Sequence, residues 1–365
     1  MKEVYFDNAS TALPVLASSG GNFGNPSTTH ALGVEAYTAF NNAKYEISHV
    51  LGCDKEELVI TSGGTESNNL AIIGYGMALK RIGTKFAAFP WAHPSVTFVM
   101  KHANDLGIGS HVKLDLENIE SSMAEGHNFV SLPQICHETG EKYNIEKIAR
   151  DLKLLNPNNT IHVDGVQGFC KEKFSLKNID LYSFSGHKIH APIGVGGLYI
   201  RKGIRLSPIL YGGQQENGLR AGTQNTQGTV DLAYAAKHLH ENIGSNQKKV
   251  AKVKREMLKL VDELGEVYVN SFSETSPYIL NMSFAGVKGE VLVNMLSEKA
   301  TYVSAGTACK VSNKDKPALM LMGFDKERAD SAIRFSFSHY NTVSEANQAR
   351  KAVVECVSLL RKIRR

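Results

Sequence analysis

No apolar run in this chain approaches the length needed to span a bilayer, and the opening residues, MKEVYFDNAS, lack the apolar stretch of a secretory signal. Those absences lead to the expectation of a soluble, cytoplasmic protein. Cysteine is scarce too: Cys53, Cys136, Cys170, Cys309 and Cys356 lie far apart, with no CxxC pair. A small disulfide framework is therefore excluded, and free thiols in a reducing compartment are favoured. His162 with Asp164, and His187 with His190, are close enough in sequence to weigh as metal ligands. No cysteine or histidine set has zinc-ligand spacing, however, so no metal is expected. The formal net charge is only +5, and the basic residues are scattered apart from RKIRR at the C-terminal end. A nucleic-acid footprint needs a concentrated stripe, so neither nucleic acid nor a membrane is an expected partner. Internal repeats, low-complexity linkers and the GxxxxGK[ST] motif are all missing. GVGGLY precedes a strand rather than opening a helix, so neither nucleotide fingerprint is present.

What is present is a chain of 365 residues with 42% hydrophobic composition, enough for a sizeable core and two lobes. From about residue 30 to 200, helical patterns alternate with short β-branched or aromatic runs such as ELVIT, FVSLPQ, TIHVDGV and IDLYSFS. This alternation predicts an α/β fold with a largely parallel sheet covered on both faces. A long helical stretch from roughly 225 to 263 follows. After it, strand-like EVYVNS, YILNMSFAG and IRFSFSHY with intervening helices predict a smaller α+β lobe. Thr342 and Glu345 supply a capping box for the last helix. The first strand of that lobe could be completed by the N-terminus.

Three strand ends carry the candidate chemistry, since ligands of open α/β sheets gather at the carboxyl ends of strands. TSGGTES (61–67) is a small, glycine-containing turn into a helix. Its backbone N–H groups suit a phosphate, although an ordinary turn is the simpler reading of this stretch alone. Asp164 closes the apolar run TIHV, where a carboxylate is expensive to bury without a partner. Lys188 lies just beyond SFSGH and, alone, reads as a surface cation. Together, Asp164 and Lys188 read differently. A strand-end lysine able to form a Schiff base and a carboxylate able to hold a pyridinium nitrogen are what pyridoxal phosphate (PLP) requires.

YFDNAST, FGNPSTTH, TSGGTESNNLAI, HVDGVQ, SFSGHKIHAPIGVGGLY, NGLRAGTQN, SAGTAC and IRFSF occur in that order along nearly the whole chain. In this the sequence resembles the class V aminotransferase superfamily of fold-type I PLP enzymes. Within it the resemblance is to cysteine desulfurases of the iron–sulfur cluster and nitrogen-fixation type, which rests mainly on SAGTAC. It implies a large PLP-binding domain over 15–245 with a mainly parallel seven-stranded sheet. A small α+β domain would comprise 1–14 and 246–365. Lys188 would carry the cofactor and later move the substrate's Cα proton, and Asp164 would pair with the pyridine nitrogen. Gln167 would hydrogen-bond the phenolic oxygen. Thr65, Ser185, His187 and the Gly64 backbone would hold the phosphate. Thr223 would reach the phosphate of a neighbouring subunit, which implies a homodimer with shared sites. His93 would stack on the ring, and Arg334 would grip the substrate α-carboxylate.

Cys309, in the small-residue run SAGTACK (304–310), would then be the nucleophile that takes sulfur from L-cysteine as a persulfide and leaves alanine. It would pass that sulfur to an acceptor protein for iron–sulfur cluster assembly or tRNA thiolation. Three departures from the family pattern stand out: His137 where an asparagine beside the phenolic oxygen is usual, Ala92 before His93, and a short 13–26 segment. Two other kinds of function compete. One is another class V enzyme: a selenocysteine lyase, a β-lyase or an aminotransferase. The other is a low-activity sulfur-transfer scaffold, against which the intact set Asp164, Lys188, Arg334 and Cys309 argues.

Overall fold

The computed structural model describes residues 2–15, 24–114, 123, 125–305 and 316–364. Cys309 and residues 16–23 of the short 13–26 segment lie outside them. The chain divides into two compact units. The smaller comprises 1–12, 135–142 and 242–365, and the larger comprises 13–134 and 143–241. The larger domain expected to run unbroken from 15 to 245 therefore cedes the excursion at 135–142 to the smaller unit.

The smaller unit begins with strand β1 (Val4–Tyr5). In the larger unit, helix α1 (Ala31–Leu51) buries Ala36, Phe40, Ala43, Ile47 and Leu51. The three- and four-residue spacing of these residues makes one apolar face. The helix ends at Gly52, whose φ of 73° is the left-handed conformation that suits glycine. Strand β2 (Leu58–Thr61) leads into α2 (Gly64–Ala78), and β3 (Lys85–Ala88) into α3 (Pro94–Asp105). Then come β4 (Ser110–Lys113), β5 (Asn128–Pro133), α4 (Ile145–Leu155), β6 (Thr160–Asp164), β7 (Leu181–Ser185), β8 (Gly196–Ile200) and α5 (Thr226–Glu241).

The larger unit's sheet has seven strands in the order β2-β8-β7-β6-β5-β3-β4. β7, β6, β5, β3 and β4 run parallel, while β8 is antiparallel to both β7 and β2. The reversed β8 restores β2 to the common direction. The carboxyl ends of β2, β7, β6, β5 and β3 therefore share one edge. Every residue of β5, β7 and β8 is buried, as expected of strands covered on both faces.

The smaller unit continues with α6 (Ile243–Leu258), α7 (Leu260–Leu264), β9 (Val267–Val269), β10 (Ile279–Phe284), α8 (Gly289–Glu298), β11 (Thr301–Tyr302) and β12 (Ser304–Ala305). It closes with α9 (Ala318–Leu321), α10 (Lys326–Asp330), β13 (Ala332–Ser336) and α11 (Val343–Arg364). Its four-stranded sheet runs β12-β13-β10-β9, antiparallel throughout, and β1 pairs parallel with β11. The N-terminal segment thus completes this unit. Phe6, Val253, Phe284, Phe335 and Val353 lie in its core.

Candidate functional site

At the shared strand edge, β2 turns into α2 through Ser62 and Gly63. Gly63 has φ 148°, and no side chain caps the helix. The first N–H groups of α2 are therefore presented to the edge together with the positive end of its dipole. A Cβ on Gly64 would lie 2.5 Å from Cγ2 of Val166, and one on Gly63 would lie 3.3 Å from Oγ of Ser185. The space here is cut to bare backbone. Ser67, one turn in, donates to the Gly197 carbonyl at 3.0 Å and lies 2.8 Å from Thr61 Oγ1, which pins the helix to the sheet. Glu66 accepts from Ser62 N at 2.7 Å and from Arg220 Nε at 3.0 Å. Burial pushes the Glu66 carboxyl up, but these bonds outweigh it and leave its pKa below the ordinary value.

Asp164, the last residue of β6, accepts from Val166 N at 3.1 Å and from Asn68 Nδ2 at 3.1 Å. Asn68 also donates to Ser95 Oγ at 2.8 Å. Ser95 Oγ in turn lies 2.8 Å from Nδ1 of His93, the residue that caps α3 ahead of Pro94. Ala92 is buried beside it.

Lys188 sits in the single turn Gly186–Lys188 directly after β7, and both His187 and Lys188 are half-buried. Burial, with the charges of Lys188 and Lys171, pushes the His187 imidazole down to about 4, so it is neutral at pH 7. Lys171 is buried and donates to Gln167 Oε1 at 3.3 Å. Burial and the Lys188 charge push its ammonium down to about 7, against a smaller opposing pull from Cys170. Thr223 is exposed in the loop before α5. That loop is anchored by Glu216, whose carboxylate meets Lys44 Nζ at 2.7 Å and Ile60 N at 3.0 Å inside the unit.

In the smaller unit, Arg334 on β13 is buried. Its Nη1 donates to the His137 carbonyl at 2.9 Å, and its Nη2 to Ser10 Oγ at 2.8 Å and Asp7 Oδ1 at 3.4 Å. Arg334 Nε is buried and has no hydrogen-bond partner among the described residues. Glu138 Oε1 lies 4.0 Å from Nη1. Burial raises the Glu138 carboxyl, Arg334 pulls it down and Asp7 pushes it up, for a net rise.

The structure thus gathers Gly64, Thr65, His93, Asp164, Gln167, Ser185, His187 and Lys188 at one sheet edge of the larger unit. It brings His137 and Arg334 together in the smaller one. Asn68, Ser95, Lys171, Asp7, Ser10 and Glu138 are polar neighbours that the sequence reading missed. One signal was available for Asn68: it stands four residues after Gly64, on the same face of α2. Among the described residues, no group of three or more His, Cys, Asp or Glu side chains is placed to hold a metal ion.

A mainly parallel seven-stranded sheet with a lysine just past one inner strand and a carboxylate ending the next is the architecture of the fold-type I transferases. Over residues 4–348 the chain matches the aminotransferase class-V family, and it belongs to that family. It is 33% identical over 358 residues to the cysteine desulfurase IscS of Buchnera aphidicola subsp. Schizaphis graminum, covering 93% of this chain and 87% of the relative. A solved NifS-like protein superposes with a TM-score of 0.90 at 31% identity, covering 98% of this chain and all of the other. SspA, solved in complex with cysteine, gives a TM-score of 0.77 at 26% identity over 93% of this chain.

Proposed function

We propose that this chain is a PLP-dependent cysteine desulfurase that converts L-cysteine to L-alanine. One observation carries the reading: a helix N-terminus with no side-chain cap, its glycine backed by Val166, shares an edge with the Asp164 carboxylate and the Lys188 amine. These groups fit the three chemical demands of the cofactor, which are an anion cradle, a partner for a pyridinium nitrogen and an amine. Bound there, pyridoxal phosphate supplies an electron sink for the Cα electrons of an amino acid.

The first N–H groups of α2, with Gly64, Thr65, Ser185 and His187, hold the phosphate. His187 contributes as a neutral donor, given its depressed pKa. Asp164 would pair with the pyridine nitrogen, and Gln167 would donate to the phenolic oxygen. His93 would cover the ring, and His137, at the sequence position of the family's usual asparagine, would serve as a second donor to that oxygen. Lys188 holds the cofactor and moves the substrate proton at Nζ. Arg334, already fixed by Ser10, Asp7 and the His137 carbonyl, binds the substrate carboxylate. The Cys309 thiolate attacks the substrate sulfur. An S–S bond forms as the Cβ–S bond breaks, its electron pair passes to carbon, and that carbon is protonated on the way to alanine. The persulfide is then passed to an acceptor protein.

A homodimer is part of this reading. It is supported by exposed Leu32, Val34, Tyr37 and Tyr45 on α1, Tyr234 on α5 and an exposed Thr223. Covering exposed aromatic and aliphatic side chains of this kind is favourable. No helix among the described residues is long and apolar enough to cross a membrane, and the proposed location is the cytoplasm.

The test is spectroscopic and chemical. Purified protein should show a visible cofactor absorbance band that Lys188→Ala removes. On addition of L-cysteine it should form alanine. A protein that cannot be loaded with PLP would overturn the proposal, and so would a loaded protein that makes no alanine from L-cysteine.

A further inference from the structure

We propose that Asn68 is a positioning residue that couples Asp164 to His93, and that the polarity of this link fixes His93 as the neutral tautomer carrying its proton on Nε2. The inference rests on the proposed function only for what the two ends do. The link itself stands on hydrogen bonds within the larger unit.

The directions of the bonds follow from the two ends, the Asp164 carboxylate and the Ser95 N–H that donates to His93 Nδ1. Asp164, as a carboxylate, can only accept, so the atom of Asn68 lying 3.1 Å from its Oδ2 must be the amide nitrogen. The second N–H of that nitrogen points to Ser95 Oγ at 2.8 Å. Having accepted there, the Ser95 hydroxyl has its own hydrogen left to give, and His93 Nδ1 lies 2.8 Å away. Ser95 N also donates to the same Nδ1 at 3.2 Å. A proton on Nδ1 would face two donors, so the neutral ring carries it on Nε2.

A second observation marks Asn68 as more than packing. The residue is fully buried, yet its Oδ1 has no hydrogen-bond partner among the described residues. Both of its N–H groups are committed to the link while its oxygen goes unpaired. A residue selected only for volume would not leave a buried carbonyl oxygen unmatched. The amide thus ties the group that would face the pyridine nitrogen to the group that would cover the ring, through one intervening hydroxyl.

The experiment needs neither cofactor nor substrate. The full chain, with histidine labelled by nitrogen-15 and stripped of any cofactor carried through purification, is examined by NMR at neutral pH, with His93→Gln identifying the His93 signals. The wild type should show His93 Nδ1 unprotonated and Nε2 protonated. Ser95→Ala should displace the Nδ1 signal. Asn68→Leu should displace it too, although Asn68 does not touch that atom through any bond of the link. Adding Asn68→Leu to Ser95→Ala should then have no further effect, since the link is already cut. Asp164→Asn, which keeps its shape but can donate, approaches from the other end and should move His93 toward a mixture of tautomers. It serves if Asn68→Leu does not fold. A wild-type His93 protonated on Nδ1 would overturn the tautomer. A folded Asn68→Leu or Asp164→Asn protein with unmoved His93 signals would overturn the coupling. None of these results depends on PLP binding or on alanine formation, so the failure of the functional proposal is recognised separately.

Discussion

Replacing Lys44 with methionine should destabilise the larger unit by about 3 kcal/mol. Lys44 lies on the inner face of α1, and its Nζ is 2.7 Å from Oε2 of Glu216, the two side chains being 10% and 4% exposed. Breaking a buried pair from one side costs roughly 3–5 kcal/mol, because the other charge is left without its partner. The Ile60 N–H still donates to the same carboxylate oxygen at 3.0 Å, which argues for the lower end of that range. Glu216 and Asn217 hold φ values of 48° and 57°, so the loop cannot easily turn the carboxylate out to water. For a unit of this size a loss of 1 kcal/mol lowers the melting temperature by roughly 2–4 °C, so Lys44→Met should melt roughly 6–12 °C lower. Lys44→Met with Glu216→Gln removes both charges and should cost only about 1 kcal/mol, about 2 kcal/mol less than Lys44→Met alone, so the two single losses should sum to well above the double loss in a double-mutant cycle. Calorimetry of the four proteins at neutral pH measures this. A single-mutant loss below about 1 kcal/mol, or simple additivity, would refute the claim that this pair anchors the Thr223 loop.

Gly64→Ala should weaken PLP binding by about tenfold or more, since its Cβ would meet Val166 at 2.5 Å and overpacking costs roughly 1–3 kcal/mol. Titration of the cofactor-free protein measures it, and Val166→Ala in the same chain should restore most of the loss. Burial pushes the Cys53 thiol up to about 12 and raises those of Cys136, Cys170 and Cys356 as well. Alkylation of the native protein at pH 8 should therefore show one fast thiol, lost in Cys309→Ala; fast labelling that survives this substitution would contradict the assignment. Burial holds His162 at about 3 and His190 at about 4, against 6.5 in an unfolded chain. As pH falls below 6.5 the unfolded state takes up protons that the folded state refuses, so stability is lost with acid and is unaffected above that pH. His162→Gln should flatten the melting-temperature profile between pH 6.5 and 4 by about one proton, or about 1.4 kcal/mol per pH unit, and an unchanged slope would refute it.

Much of this architecture could be read from residue types alone. The apolar runs before Asp164 and Lys188 mark β6 and β7, and SGG marks the turn into α2, because strand ends in such sheets are where polar residues interrupt hydrophobic runs. The direction of β8 was not legible. GLYI is a buried strand by composition, and both of its neighbours pair with it equally well by pattern, so orientation is set by the long-range path of the chain. The excursion at 135–142 was hidden for a related reason. Its buried Cys136 and Glu138 look like a continuation of β5, and only tertiary packing assigns them to the smaller unit. The partners of Arg334 come from residues 7, 10 and 137, which no local spacing connects. Asn68 could be placed on the right face of α2, but its double donation depends on where Asp164 arrives from β6 and Ser95 from α3.

The most direct test of the central claim follows the sulfur. Protein loaded with PLP is given L-cysteine labelled at sulfur, with no thiol reductant, and its peptides are analysed by mass spectrometry. The account predicts one labelled sulfur added to the peptide carrying Cys309 for each alanine released in the first turnover, and none in Cys309→Ala. Alanine formed at the normal rate with no label on Cys309, or label appearing on Cys53, Cys136, Cys170 or Cys356 instead, would contradict it.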